Sequence, residues 1–372
     1  MSTLRQVPFF NYSYVFTSME EDFVAIFRDV GRRGAFIMQR DLRDFEQHLA
    51  TYPGAKYAVG VANATDGLHI ALRAAGIGPG DEVIFCSHTM VATAAAIHFA
   101  GATPVPVECG PDHLIDPKSV EAAITSKTKA IMPTQLNGRT CDMDALQAIA
   151  ERYNLLIVED AAQGLGSKFK DKQAGTFGVA GAISFYPAKN LGCLGDGGAV
   201  ITSDEEVYRK LLLLRDHGRD ESGEVVMWGL NTRLDNLQAA FLDYKLARYA
   251  EEVARRREIA DLYQKLLGDV KELVLPPAPG SDPDHFDVFQ NYEIEAEQRD
   301  ELRAYLKENG VGTLIQWGGK AVHQFKKLGF TVSLPYTERM FTRCLMLPMN
   351  RSLSDENVYY VCEVIRRFYG YA

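Results

Sequence analysis

The chain has 372 residues, with 40 lysines and arginines against 49 aspartates and glutamates, a formal charge of −9 and 47% hydrophobic side chains. That composition belongs to a globular protein of one large or two modest domains and excludes collagen-like, disordered and disulfide-stapled chains. The negative overall field repels nucleic acid and anionic membranes, so neither is expected as a partner, and an anionic small molecule would need a locally basic pocket.

The N-terminal run MSTLRQVPFFNYSY lacks the basic start and continuous apolar stretch of a signal peptide. The six cysteines are far apart, with no C-x-x-C, which fits a reducing compartment rather than a zinc site or a disulfide framework. A cytoplasmic location is therefore expected. Strands are predicted at 57–62, 82–86, 103–107, 129–134, 155–159, 182–186 and 198–202, with helical runs at 66–75 and 142–153 among them. Such alternation predicts an α/β fold with a mostly parallel sheet, parallel at least over 103–160. The uncharged stretch 83–107 holds His88, His98, Pro104 and Pro106, which argue against a membrane span. Residues 237–267 read as long helical structure, 275–283 as an exposed Pro/Gly loop, and 286–372 as shorter mixed elements. A change of domain near residue 246 divides the chain into a large domain, 1–245, and a smaller C-terminal one, 246–372.

Open parallel sheets bind ligands beyond the carboxyl ends of their strands, so the residues there are read first. After the first strand, Asn63, Ala64, Thr65 and Asp66 open a helix, and free N–H groups at a helix start suit a phosphate as well as an ordinary cap. At 159–160 adjacent Glu159 and Asp160 must face opposite sides, and Asp160 is the one predicted to face the crevice, where it could hold a pyridinium nitrogen, a ribose or a metal. After the strand at 182–186, Lys189 sits among small residues and tight turns, and burial there would lower its pKa as a Schiff-base amine requires. A phosphate seat, a carboxylate and a lysine on successive strand ends together meet the demands of pyridoxal phosphate.

The ordered motifs ANATDGLHIAL (62–72), VEDAAQGLGS (158–167), SFYPAKNLGCLGDGGAVIT (184–202) and GLNTRLDNLQAAF (229–241) resemble the DegT/DnrJ/EryC1/StrS family of sugar aminotransferases, within the fold-type I pyridoxal phosphate enzymes. The resemblance implies a seven-stranded large domain and a smaller C-terminal α+β domain. By that resemblance Lys189 bonds covalently to the cofactor and shuttles the proton, and Asp160 pairs with the pyridine nitrogen. Gln163 contacts the ring hydroxyl, and Ala64, Thr65 and Ser184 hold the phosphate. Asn231 reaches the phosphate from the other subunit of a homodimer. Met90 stands where the family has an aromatic residue on the ring, and Asn63-Ala64-Thr65 replaces the usual S-G-T. Gln316, Trp317 and Lys320 replace the family's H-Y-x-x-P-like segment and are expected to line the substrate pocket, Lys320 supplying positive charge.

No H-x-x-x-H or H-E-x-x-H spacing occurs among the eight histidines, so no metal site is expected, and His217 is assigned no catalytic role. The resemblance implies a ping-pong aminotransferase that takes its amino group from an amino acid, glutamate first. The acceptor is a 3-keto or 4-keto deoxyhexose on a nucleoside diphosphate, for lipopolysaccharide, another surface glycan or a glycosylated metabolite. The alternatives are a non-nucleotide keto-sugar such as an 8-keto octulosonate, a pyridoxal-dependent sugar dehydratase, a non-catalytic cofactor-binding sensor and a ligand-binding protein without the cofactor.

Overall fold

The structure, a computed structural model, describes residues 5–371. Seven strands form the central sheet: β1 (Tyr57–Val61), β2 (Glu82–Cys86), β3 (Thr103–Val107), β4 (Thr128–Met132), β5 (Leu156–Asp160), β6 (Ala180–Ser184) and β7 (Gly198–Thr202). Their order is β1-β7-β6-β5-β4-β2-β3, and only β7 runs against its neighbours. The carboxyl ends of the other six therefore lie along one edge, where β7 begins.

The strands are apolar because both faces are covered. On β5, Val158 joins a core with helices Ala64–Ala74, Val91–Phe99 and Glu205–Arg215, whereas its neighbour Ile157 joins one with helix Met143–Tyr153. The expected elements are present, with shifted bounds. The sixth strand starts two residues earlier than predicted because Ala180 and Gly181 continue the ladder, and Gly181 reads as a turn in sequence. A side chain at Gly181 would lie 2.4 Å from Gly175 Cα, so close contact with that turn excludes any larger residue. The helical stretch predicted over 237–267 is two helices, Asn236–Leu246 and Tyr249–Leu267, separated at residues 247–248. Residues 83–107 form β2, a helix and β3, and no helix among the described residues is long and apolar enough to cross a membrane.

A second core gathers Ile259, Tyr263 and Leu267 of the long helix with an antiparallel sheet of Leu273–Val274, Tyr292–Ala296 and Cys344–Leu347 and helix Asp355–Tyr369. Val7, from the other end of the sequence, is buried in this core and bridges to Val311.

Candidate functional site

Two strand ends and one strand start meet at one point of the sheet edge. Val61 lies opposite Gly198, and Gly198 lies opposite Ser184. A Cβ on Gly198 would come within 2.7 Å of the Ala64 nitrogen and 2.6 Å of the Asn63 carbonyl carbon, so only glycine lets the 63–65 turn lie over the sheet. Asn63 Oδ1 accepts the Asp66 N–H at 2.9 Å, capping the helix. The N–H groups of Ala64 and Thr65 are left at its positive end, close to Ser184 across the ladder. Thr232 fastens this turn, its hydroxyl donating to Asp66 at 2.7 Å and accepting the Ala62 N–H at 3.2 Å. Next to it Asn231 is exposed.

Asp160 ends β5 and is buried. Burial pushes its pKa up, opposed by a hydrogen bond from Thr93, by the Ala162 N–H and by the charge of Lys189. An ionised carboxylate only accepts, so Thr93 uses its one proton on Asp160 Oδ2 at 2.6 Å. Thr89 must then donate to Thr93 at 2.8 Å, and Thr134 to Thr89 at 3.0 Å. The result is a one-way chain of buried hydroxyls ending on Asp160, in which each bond polarises the next. Lys189 follows β6, its N–H held by the Tyr186 carbonyl at 2.8 Å. Burial lowers its ammonium to about 8, although Asp160 pulls the other way. At neutral pH a usable fraction of this amine is therefore unprotonated, as a nucleophile needs to be.

Gln163, three residues beyond Asp160, accepts the backbone N–H of Asn137 at 2.8 Å and Asn291 Nδ2 at 3.2 Å. A backbone N–H only donates, so these bonds fix the Gln163 oxygen and leave its NH2 as the free end. Met90 is half exposed at the N-cap of helix Val91–Phe99, three residues before Thr93. Residues 317–319 have φ of 49°, 71° and 79°, a left-handed turn that the two glycines make accessible. Gln316 is buried, and its Nε2 donates to Asn137 at 2.8 Å and Glu293 at 2.9 Å, so its NH2 is used inside the protein. The Trp317 ring packs on His88 at 5.2 Å, and Lys320 is exposed.

The structure thus brings Ala64, Thr65, Ser184, Asp160, Lys189 and Gln163 to one edge, with Gln316 linked to Gln163 through Asn137. Sequence reasoning missed the Thr89–Thr93 pair, although an i, i+4 spacing of hydroxyls was visible, and Asn137, whose Asn-Gly step marked a tight turn. It also missed a cavity that has Lys189 on its wall with Lys245, Arg248, Arg256 and Arg351. The one acid in that wall is Glu252, already paired with Arg256 at 2.7 Å. Four further basic side chains therefore share a wall with Lys189, Arg351 pairing with Glu251 at 3.3 Å and Lys245 lowered to about 8 by burial.

A lysine of lowered pKa, a buried carboxyl and a capped helix start on the carboxyl edge of this sheet are the arrangement of the fold-type I aminotransferases. Residues 17–366 match the DegT/DnrJ/EryC1/StrS aminotransferase family. The chain belongs to that family, and with it to the sugar aminotransferases. It is 41% identical to a pleiotropic regulatory protein of Geobacillus stearothermophilus, over 98% of each chain. It is 38% identical to the dTDP-3-amino-3,4,6-trideoxy-alpha-D-glucose transaminase of Streptomyces venezuelae, over 98% of this chain and 96% of that one. A UDP-2-acetamido-2-deoxy-3-oxo-D-glucuronate aminotransferase of Pseudomonas aeruginosa is 36% identical over 90% and 92%. The S. venezuelae enzyme DesV in complex with a ketimine intermediate superposes with a TM-score of 0.94 at 38% identity, over 98% of both chains. NtdA of Bacillus subtilis with bound cofactor PMP does so with a TM-score of 0.90 at 29% identity, over 98% of this chain and 85% of that one.

Proposed function

We propose that this protein moves an amino group from glutamate to a 3-keto hexose linked to a nucleoside diphosphate, with pyridoxal 5′-phosphate as cofactor. The observation that carries the reading is the electrostatic coupling of Lys189 and Asp160, a lowered amine beside a buried carboxyl, next to the 63–65 turn. These residues suit the cofactor by the chemistry of their donors. The N–H groups of Ala64 and Thr65 and the Ser184 hydroxyl would hold a phosphate, and the Gln163 NH2 would donate to the ring hydroxyl. When bound, the cofactor supplies a conjugated ring that takes up the electron pair of the carbon being deprotonated.

The chain's own residues do the rest. Asp160, aimed by Thr93 and Ala162, would hold a proton on the ring nitrogen. Lys189 Nζ would hold the proton removed from the substrate carbon and hand it on, the unprotonated amine acting as the base. The cationic wall beside Lys189 suits substrates that carry carboxylates or a diphosphate. Met90 offers an apolar contact to the ring, and Trp317 and Lys320 remain assigned to the sugar side. Support for attack at C3 comes from the two relatives named above, whose names place the amine or the ketone at that carbon.

A homodimer with composite sites belongs to the same reading. Asn231 is exposed, Trp228 is 89% exposed and Phe36 57% exposed, an apolar surface that a second copy would cover. The test is to incubate the holoenzyme with glutamate and a dTDP- or UDP-linked 3-keto hexose and follow the amino sugar by mass spectrometry. Formation of the 3-amino sugar is expected. Amination of an 8-keto octulosonate in its place would overturn the nucleotide-sugar reading.

A further inference from the structure

Next to the cofactor edge, on residues that the proposed amino transfer does not use, lies a cluster that the spacing of histidines along the chain did not reveal. We propose that His88, His113 and Glu293 form a site for one zinc ion. One ligand atom from each falls within 4.8 Å of the others. His88 follows β2, His113 follows β3, and Glu293 comes from the C-terminal sheet. Their separations in sequence, 25 and 180 residues, explain why no motif appears.

The argument starts at His88, which is fully buried. Its Nδ1 lies 2.9 Å from the His113 carbonyl oxygen, which only accepts, so Nδ1 carries a proton, and in the neutral ring Nε2 is a lone pair. That Nε2 has no hydrogen-bond partner and faces Glu293 Oε2 at 3.5 Å. A neutral ring would set that lone pair against a carboxylate in a dry site, so the contact calls for a cation between them, a proton or a metal ion. His113 completes the set, with Nδ1 at 2.9 Å from the same oxygen and Nε2 at 3.3 Å from Glu295, an acceptor that takes the proton of the far nitrogen.

Both imidazoles therefore have the outer partners that metal-bound histidines use, one a carbonyl and the other a carboxylate. Glu293 is held in turn by Gln316 at 2.9 Å and Asn137 at 3.0 Å. Two of the three edges, 2.9 and 3.5 Å, lie on either side of the roughly 3.3 Å between donor atoms of a tetrahedral zinc with ligands at ~2.0 Å, and the third is within 4.8 Å. His113, Asn137 and Glu293 also line a cavity, which provides room for a fourth ligand, water. Two imidazoles and one carboxylate are a donor set that suits zinc.

The test uses the full chain loaded with pyridoxal phosphate. Metal analysis of the wild type, dialysed against zinc and then against metal-free buffer, should give one zinc per chain. Cobalt(II) in its place should give the visible bands of a four-coordinate ion. Glu293→Gln and His113→Gln should each bind zinc at least about tenfold more weakly, and their retained cofactor absorbance reports that they fold. Wild type without stoichiometric zinc, or zinc content unchanged in both variants, would overturn the proposal. Should either variant fail to fold, the cobalt spectrum of the wild type decides, because a six-coordinate spectrum contradicts a His/His/Glu site with one water.

Discussion

Strand β5 ends in two acids that face opposite ways, and their surroundings differ in one respect that separates structure from chemistry. Glu159 is buried among donors that use both its oxygens: Gln135 at 2.7 Å, Gly175 at 2.7 Å, Phe177 at 2.6 Å and Gly178 at 3.0 Å. Asp160, equally out of water, has Thr93 and Ala162 and, within electrostatic reach, Lys189. Burial raises the pKa of both. The saturated carboxylate ties the 173–178 turn to its strand, whereas the other keeps capacity for one more cationic donor. Burial alone therefore does not identify a functional acid, and the count of committed lone pairs does.

The comparison can be broken by substitution. Lys189→Ala, which removes the amine on the Asp160 side, should lower kcat by roughly 10³- to 10⁴-fold without loss of fold, measured by amino transfer and circular dichroism. Asp160→Asn should cost roughly 10²-fold or more in kcat and leave Tm nearly unchanged. Glu159→Gln should do the reverse, losing about 1 to 3 kcal/mol of stability because an amide NH2 meets N–H donors. Equal stability losses in those two variants would sink the distinction. Thr93→Val breaks the hydroxyl chain and should lower kcat about tenfold, with Thr93→Ser restoring most of it, since a hydrogen bond to a charged group is worth about 1.5 kcal/mol or more.

A pH experiment sharpens the same contrast. The pKa of Lys189 is lowered, so its reactive neutral form grows as pH rises through about 8. The rate at which the apo-protein takes up pyridoxal phosphate should climb through that pH and level off above it; a rise continuing to the ordinary lysine range, ~10.4, would contradict the burial of the amine. The smallest effect belongs to the exposed Lys320: Lys320→Ala should raise KM for the sugar about two- to threefold at unchanged kcat.

Much of this was legible in the sequence because the sheet is local in its logic. Apolar runs bounded by small polar turns gave β2, β3 and β7 their bounds, and the rule of alternation put Glu159 and Asp160 on opposite sides, with the family resemblance assigning Asp160 to the crevice. Partners brought by folding were not legible. Thr134 reaches Thr89 from a different strand end, Asn137, bonded to Gln163, meets Gln316 from 179 residues away in sequence, and Lys245 comes to the Gly192 carbonyl beside Lys189 from a helix in the next segment. Gln316 shows the limit from the other side: read in sequence as a substrate contact, it spends both amide hydrogens on Asn137 and Glu293.

The most direct measurement is the visible absorption spectrum of the purified protein with pyridoxal phosphate, before and after glutamate is added. A visible band that forms with the wild type, is absent from Lys189→Ala and collapses on adding glutamate is the predicted result. No band, or a band that glutamate leaves unchanged, would contradict the assignment of Lys189 and Asp160 to amino transfer from glutamate.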